Sequence, residues 1–140
     1  MNGRFFLDTN ILVYTFDGRA PAKQSLARQL VAEALAGRDG IVSYQVVQEF
    51  LNVALRKFDK PMTPSEAQLY LAKVLLPLCE VFPDSSLYSQ GLSLVEETGF
   101  SFYDALIVAS AAIGGCLVLL SEDLQHGRVV RGVEIRNPFL

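Results

Sequence analysis

Four acidic residues interrupt the most apolar stretches of this 140-residue chain: Asp8, Glu49, Asp104 and Asp123. Carboxylates are rarely buried among apolar residues unless a partner satisfies them. If the four converge, their like charges repel one another, and a hard divalent cation with oxygen ligands relieves that repulsion. Converging carboxylates with Mg²⁺ or Mn²⁺ are the equipment of metal-dependent phosphodiester hydrolysis.

The elements that must position these acids alternate between short apolar runs and segments of helical periodicity. The pattern predicts an α/β fold with a central, mostly parallel sheet of four or five strands flanked by helices. The predicted strands are 4–7, 40–43, 79–82, 117–120 and, at an edge, 133–135. The predicted helices follow Asn10 and cover 20–36, 44–58, 63–76, 83–99 and 101–113. Asp8 and Asp123 then follow two strands, at the carboxyl edge where such sheets bind ligands.

Each acid also has a purely structural interpretation. Asp8 could cap the helix that follows it, and Asp104 could form a capping box with Ser101. Asp123 could lie in the first turn of a short helix, where the helix dipole favours an anion. Glu49 borders the buried stripe of its helix and could belong to the solvated face.

The four acids taken together favour the metal-site interpretation. Caps do not need to be acidic, since Ser, Thr and Asn serve as well. We therefore assign Asp8 to the site and reject a capping role for it. That role is kept for Asn10 and, secondarily, for Thr9.

Length and composition indicate one globular domain over residues 1–140, with 51% hydrophobic and 19% charged residues. Cys79 and Cys116 lie in apolar surroundings without a CxxC motif, so we expect reduced, buried thiols in a cytoplasmic protein. The amino terminus reaches a carboxylate too early for a signal peptide. The apolar run 105–120 is shorter than the roughly 20 residues that cross a bilayer, so no membrane role is expected.

The net charge of −3 argues weakly against a nucleic-acid partner. Without the four candidate acids, however, the remaining acids nearly balance the 12 lysines and arginines. Local basic residues would therefore have to steer a nucleic acid, with ordinary solvated side chains as the alternative interpretation of each. The candidates are Arg19, Lys23, Arg28, Arg128 and Arg131.

Four segments carry a resemblance to a known family. FLDTNILVY, VVQEFLNV, SFYDALIVASA and LLSEDLQHG, in this order and spacing, resemble the PIN-domain ribonucleases. The length and the closing NPFL are similar to those of VapC-type toxins from bacterial toxin–antitoxin pairs. The resemblance covers essentially the whole chain.

The resemblance implies that the four acids form the catalytic metal site, with Asp8 and Asp104 as the first choices for direct ligands. It also implies that Thr9 and Asn10 are polar companions of the first acid, Asp8. Ser121 stands where the family often has threonine, which keeps the hydroxyl group.

The activity that the resemblance implies is Mg²⁺-dependent endoribonuclease cleavage, with Mn²⁺ as a possible substitute and a cognate antitoxin as inhibitor. The family also implies a homodimer, for which the exposed helical surfaces between residues 20 and 76 are candidates. Two alternatives stay open: a PIN-type nuclease for RNA processing or DNA cleavage outside a toxin–antitoxin pair, and an inactive PIN-like binding scaffold.

Overall fold

The computed structural model describes residues 3–37 and 39–140 and contains a six-stranded, mostly parallel sheet flanked by helices. The strands are β1 (Phe5–Leu7), β2 (Gly40–Ser43), β3 (Cys79–Val81), β4 (Val118–Leu120), β5 (Val129–Val130) and β6 (Val133–Arg136). The helices are α1 (Thr9–Tyr14), α2 (Pro21–Gly37), α3 (Tyr44–Arg56), α4 (Pro64–Tyr70), α5 (Leu76–Leu78), α6 (Ser85–Thr98) and α7 (Phe102–Ile113). None of the helices in these described ranges is long and apolar enough to cross a membrane. The predicted α/β architecture is confirmed.

The strands lie in the order β3-β2-β1-β4-β6-β5, and all neighbours are parallel except the β5–β6 pair. Two predictions about the sheet are wrong. It has six strands rather than four or five, and β6 is not at the edge because β5 covers it. The chain turns between them at Arg131 and Gly132, whose φ angles of 53° and 79° suit a tight hairpin. Such turns usually begin with Asn, Asp or Gly, so the sequence gives little sign of this one.

β1 is the buried centre of the sheet. Phe5, Phe6 and Leu7 are all fully buried, with β2 on one side and β4 on the other. A parallel strand that is covered on both faces is apolar at every position. Beyond its end, the backbone N–H of Asp8 still donates to the carbonyl of Leu120 at 3.0 Å. The first candidate acid is therefore fixed to the two central strands.

The predicted helix boundaries are confirmed where a cap or a glycine defines them. Thr63 caps α4 in a capping box with Glu66, and α6 ends at Gly99, which has a φ of 78°. The helix that Thr63 begins continues to Leu78, two residues further than predicted, through a π-helical segment, Leu71–Leu75. Pro77 accounts for the wide turn, because it has no backbone N–H to donate to the preceding turn.

The two cysteines are free thiols. Cys116 is buried, and burial raises the pKa of its thiol to about 11. Cys79 is only half-buried, so the expectation of two buried thiols is wrong for this residue.

The variant Gly40→Ala is expected to destabilise the protein. A Cβ atom at position 40 would overlap the Ala34 side chain and lie 2.8 Å from two carbons of the Phe5 ring. Overpacking of this kind lowers the free energy of unfolding by about 1–3 kcal/mol, which urea denaturation measures. Gly18→Ala is the control, because a Cβ there meets nothing within 4 Å. Equal stability of the two variants would show that the β1–β2 packing is looser than described.

Candidate active site

The candidate site lies at the carboxyl edge of the sheet, between β1 and β4. From β1 the chain moves outward to β2 and β3, and it later returns to place β4 on the other side of β1. Such a reversal of strand order opens a crevice at the carboxyl ends of two neighbouring strands, where α/β folds bind ligands. Asp8 directly follows β1 and Ser121 directly follows β4.

Both carboxylate oxygens of Asp8 accept hydrogen bonds, and the residue is only 8% exposed. Oδ2 accepts from Ser121 Oγ at 2.7 Å, and Oδ1 accepts from the backbone N–H of Thr9 at 2.8 Å. The second bond makes Asp8 the N-cap of α1. Rejecting a capping role for Asp8 is therefore wrong, as is assigning that role to Asn10 or Thr9. One carboxylate caps the helix and also lies in the crevice.

The surroundings of Asp8 raise the pKa of its carboxyl group to about 6. Burial is the largest cause, because removal from water disfavours the charged form. The hydrogen bonds from Ser121 and Thr9 act in the opposite direction. The negative charges of Glu49 and Asp123 raise the pKa further, so these two acids lie close enough to Asp8 to repel it.

Glu49 reaches the site from α3. Thr9 Oγ1 donates a hydrogen bond to Glu49 Oε1 at 3.0 Å, which joins α1 to α3. Glu49 is exposed, whereas the adjacent Phe50 is fully buried. This agrees with the prediction that Glu49 borders the buried stripe of its helix. The acidic cluster is therefore open to solvent on its α3 side.

Asn10 connects the end of β1 to the segment after β4. Its side-chain Nδ2 donates to Asp123 Oδ2 at 3.0 Å, and its side-chain Oδ1 accepts from the backbone N–H of Glu122 at 3.2 Å. Ser121 Oγ accepts from the backbone N–H of Asp123 at 3.1 Å. The segment after β4 forms bends rather than a helix, so the helical interpretation of Asp123 is wrong. These bonds hold Asp123 beside Asp8.

Asp104 approaches from the amino terminus of α7 and is half-buried. Its backbone N–H donates to Ser101 Oγ at 3.3 Å, which is the serine half of the capping box. Gln45 Nε2 donates to the Tyr103 carbonyl at 3.2 Å and holds this terminus against α3, one turn before Glu49. Within the described residues, the hydrogen-bond network that joins the other three acids does not include the Asp104 carboxylate.

The four acids offer only oxygen ligands, which suit hard cations such as Mg²⁺. Whether their side chains lie close enough together to hold a metal ion is a separate question. In the described part of the chain, no group of three or more His, Cys, Asp or Glu side chains lies close enough together to hold a metal ion. The chemical type of the donors thus fits a hard cation, while a closed cage of three carboxylates is not formed.

Lys23 and Glu122 form an ion pair beside the acids, at 3.1 Å. Lys23 Nζ also donates to the Tyr14 hydroxyl at 3.3 Å, and that hydroxyl donates to Glu122 Oε1 at 3.0 Å. The ammonium group lies 5.0 Å from the Tyr14 ring centroid and 5.5 Å from that of Phe139. We call these four residues the Lys23 clamp.

The Lys23 clamp was not predicted from the sequence, where Lys23 is a candidate for steering nucleic acid and Glu122 has no role. In the structure, Lys23 pairs with Glu122, the residue between Ser121 and Asp123. Its place inside the segment SED is the only sequence signal that could have identified Glu122. The clamp ties the segment after β4 to α1 and α2.

The other basic candidates are also engaged in contacts. Arg19 pairs with Asp17 at 3.1 Å, although its side chain is 76% exposed. Arg128 lies over the Phe100 ring, 4.7 Å from its centroid. Of the remaining two, Arg28 donates to the Thr15 carbonyl and Arg131 pairs with Glu97. The roles of Arg19 and Arg128 in binding a substrate stay predictions.

The variant Asp8→Asn is expected to stabilise the metal-free protein at neutral pH. The folded-state pKa of about 6 lies above the ordinary value of 3.8, so this group favours folding most when it is protonated. Its contribution to the free energy of unfolding is complete below about pH 4 and is lost as the pH rises through about 6. Asparagine carries no charge, so the variant should gain about 1–3 kcal/mol of unfolding free energy at neutral pH.

Urea unfolding in the presence of a chelator, between about pH 4 and pH 8, measures this difference. Asp59→Asn is the matched control, because the Asp59 side chain is 79% exposed and its ion pair with Arg19 is long, at 3.8 Å. A stability difference between Asp8→Asn and the parent that does not grow with pH would contradict the raised pKa.

Solved structures with the same fold include proteins from three toxin systems. A toxin–antitoxin complex from Klebsiella pneumoniae has a TM-score of 0.62 at 21% identity, covering 91% of this chain and 93% of that one. VapBC2 from Rickettsia felis, bound to a DNA fragment from its promoter, has a TM-score of 0.61 at 16% identity, covering 95% and 97%. VapC20 from Mycobacterium tuberculosis, described as a Sarcin–Ricin loop cleaving toxin, has a TM-score of 0.55 at 20% identity, covering 85% and 91%. At these identities the likeness shows the fold alone.

The sequence comparisons are more specific. Ribonuclease VapC7 of Mycobacterium tuberculosis is 34% identical in an alignment of 122 residues, and the alignment covers 84% of this chain and 80% of that protein. The sequence model of the PIN domain family matches residues 5–132 of this chain, from the first residue of β1 to the turn before β6. The chain therefore belongs to the PIN-domain family.

Proposed function

We propose that this protein is a Mg²⁺-dependent endoribonuclease and the toxin of a toxin–antitoxin pair. The observation that carries the proposal is the buried Asp8 carboxylate at the switch point of the sheet, with Glu49 and Asp123 close enough to raise its pKa. Acids that repel one another in a ligand-binding crevice favour the binding of positive charge there. This is what a metal-dependent nuclease requires.

The proposed metal-site and catalytic residues are Asp8, Glu49, Asp104 and Asp123. Mg²⁺ usually keeps several waters and takes one or two protein carboxylates, so a closed cage of three acids is not required. Asp8 and Asp104 are the proposed direct ligands, because each has a short side chain at the end of an element. Mn²⁺ has similar ligand preferences and is the proposed substitute.

The chain's own residues orient the acids before a substrate arrives. Ser121 and Thr9 fix the two oxygens of Asp8, and Asn10 fixes one oxygen of Asp123. Held in this way, the carboxylates need little reorganisation during the reaction. A divalent cation bound there would lower the pKa of a water molecule and offset charge on the phosphodiester under attack.

The biological role is carried over from relatives. VapC7 is a ribonuclease, and the solved structures of the same fold include a toxin–antitoxin complex and a toxin that cleaves a Sarcin–Ricin loop. We therefore propose an RNA substrate and a cognate antitoxin protein as partners. A homodimer, a cytoplasmic location and a single PIN domain over residues 1–140 are further proposals that follow from the family.

RNA cleavage tests the activity directly. The parent chain should cut cellular RNA when Mg²⁺ is present, lose this activity with a chelator and regain it with Mg²⁺ or Mn²⁺. Asp8→Asn should cut at least about 100-fold more slowly, because it removes a proposed ligand, while its circular dichroism spectrum stays that of the parent. Asp59→Asn should keep the parent rate. Equal rates for Asp8→Asn and the parent would rule out the site assignment.

Expression in a bacterial host tests the toxin role. The parent chain should arrest growth, and Asp8→Asn should not, because arrest requires the acidic site. Co-expression of the product of a small neighbouring gene should restore growth. A parent chain that cleaves RNA yet leaves growth unaffected would favour a processing nuclease over a toxin.

A further inference from the structure

A group of aromatic side chains lies beside the acidic crevice. Tyr103 is 67% exposed, Tyr88 is 42% exposed and Phe102 is 38% exposed, whereas Tyr44 is half-buried behind them. They come from the first turns of α3, α6 and α7. We call these four residues the aromatic platform.

The rings of the platform are held in place by one another. The centroids of Phe102 and Tyr103 are 5.8 Å apart, and the ring planes meet at 60°. Tyr44 lies close to both Tyr88 and Tyr103, and a hydrogen bond with Tyr88 adds to the burial that raises the pKa of Tyr44 to about 12. The exposed Phe102 and Tyr103 rings therefore lie against each other rather than standing alone.

The platform borders the acids directly. Tyr103 precedes Asp104, and its carbonyl accepts the hydrogen bond from Gln45 Nε2. Gln45 lies four residues before Glu49, a distance of about 6 Å along the helix axis. Tyr103 therefore precedes one acid in the chain, and its backbone is bonded to α3 one turn before another.

Gln45 is the buried residue that holds Tyr103 against α3. It is 4% exposed, and its Oε1 atom has no hydrogen-bond partner among the described residues. A buried acceptor without a partner lowers stability. The amide nevertheless uses its N–H to fix the backbone of Tyr103, which positions the most exposed ring of the platform.

We propose that the aromatic platform stacks an unpaired base of single-stranded RNA next to the phosphodiester that is cleaved. The inference rests on the proposed nuclease function and adds a base-binding site to it. Every base has a flat π-face, and aromatic side chains bind such faces in many single-strand-binding proteins. A phosphate group is a poorer fit for this surface, because Asp104 and Glu49 beside it would repel the negative charge.

The proposal implies a preference for unpaired RNA. A base within a duplex is already stacked and paired, so it cannot lie on the Tyr103 ring without being pulled out of the helix. Loops and single-stranded ends present their bases at no such cost. The platform would therefore favour cleavage in loops, independently of the metal chemistry.

The test uses RNA binding in an Asp8→Asn background, so that the RNA is not cut. The probe is a single-stranded RNA of about 12 nucleotides that carries 2-aminopurine, whose fluorescence falls when it stacks on a ring. Tyr103→Ala should weaken binding about tenfold and abolish the fluorescence quenching. Tyr103→Phe keeps the ring and should bind and quench like the background protein.

Two controls sharpen the result. Leu69→Ala removes an apolar side chain of similar exposure, 58%, on α4 and should change nothing. The same probe in a duplex should bind with no dependence on Tyr103. If Tyr103→Ala binds and quenches like Tyr103→Phe, the platform is wrong, while RNA cleavage by the parent chain still supports the nuclease function. If the parent chain neither binds nor cleaves RNA, both proposals are wrong.

Discussion

A buried carboxylate at the end of the central strand is the constraint around which this site is arranged. Asp8 lies where charge is disfavoured, and the Ser121 hydroxyl on the neighbouring strand end donates to it at 2.7 Å. The same hydroxyl accepts from the backbone of Asp123, so one oxygen connects two acids. Asn10, two residues after Asp8, makes a second connection, because its side-chain amide bonds both the Asp123 carboxylate and the backbone N–H of Glu122. Neutral hydrogen-bonding groups thus hold together charges that would otherwise move apart.

Much of the fold and part of the site follow from the sequence, because buried parallel strands are apolar at every position and end abruptly at polar residues. FFL followed by Asp8 and VLL followed by Ser121 each predict a strand and a side chain at the carboxyl edge. The position of Asp104 follows from the Ser101 cap in the same way. Local patterns of this kind are sufficient for Asp8 and Asp104, because each of them is placed by the end of its own element.

Features that depend on contacts between distant segments were not predictable. The Lys23–Glu122 ion pair joins residues 99 positions apart, and neither residue interrupts an apolar run. The short β5 strand exists only because β6 offers it a partner. The capping role of Asp8 does not exclude a role in the site, because one oxygen of its carboxylate caps α1 and the other accepts from Ser121 in the crevice.

The hydrogen bond between Ser121 and Asp8 also has a consequence for the order of events during synthesis. Its two residues are 113 positions apart, so the crevice cannot close until β4 has left the ribosome and paired with β1. Closing a loop of that length is costly in entropy and late in folding. An incomplete nascent chain that ends before residue 118 contains Asp8, Glu49 and Asp104 but not the strand that aligns them. Any activity of the site therefore requires synthesis to have passed β4 and Ser121.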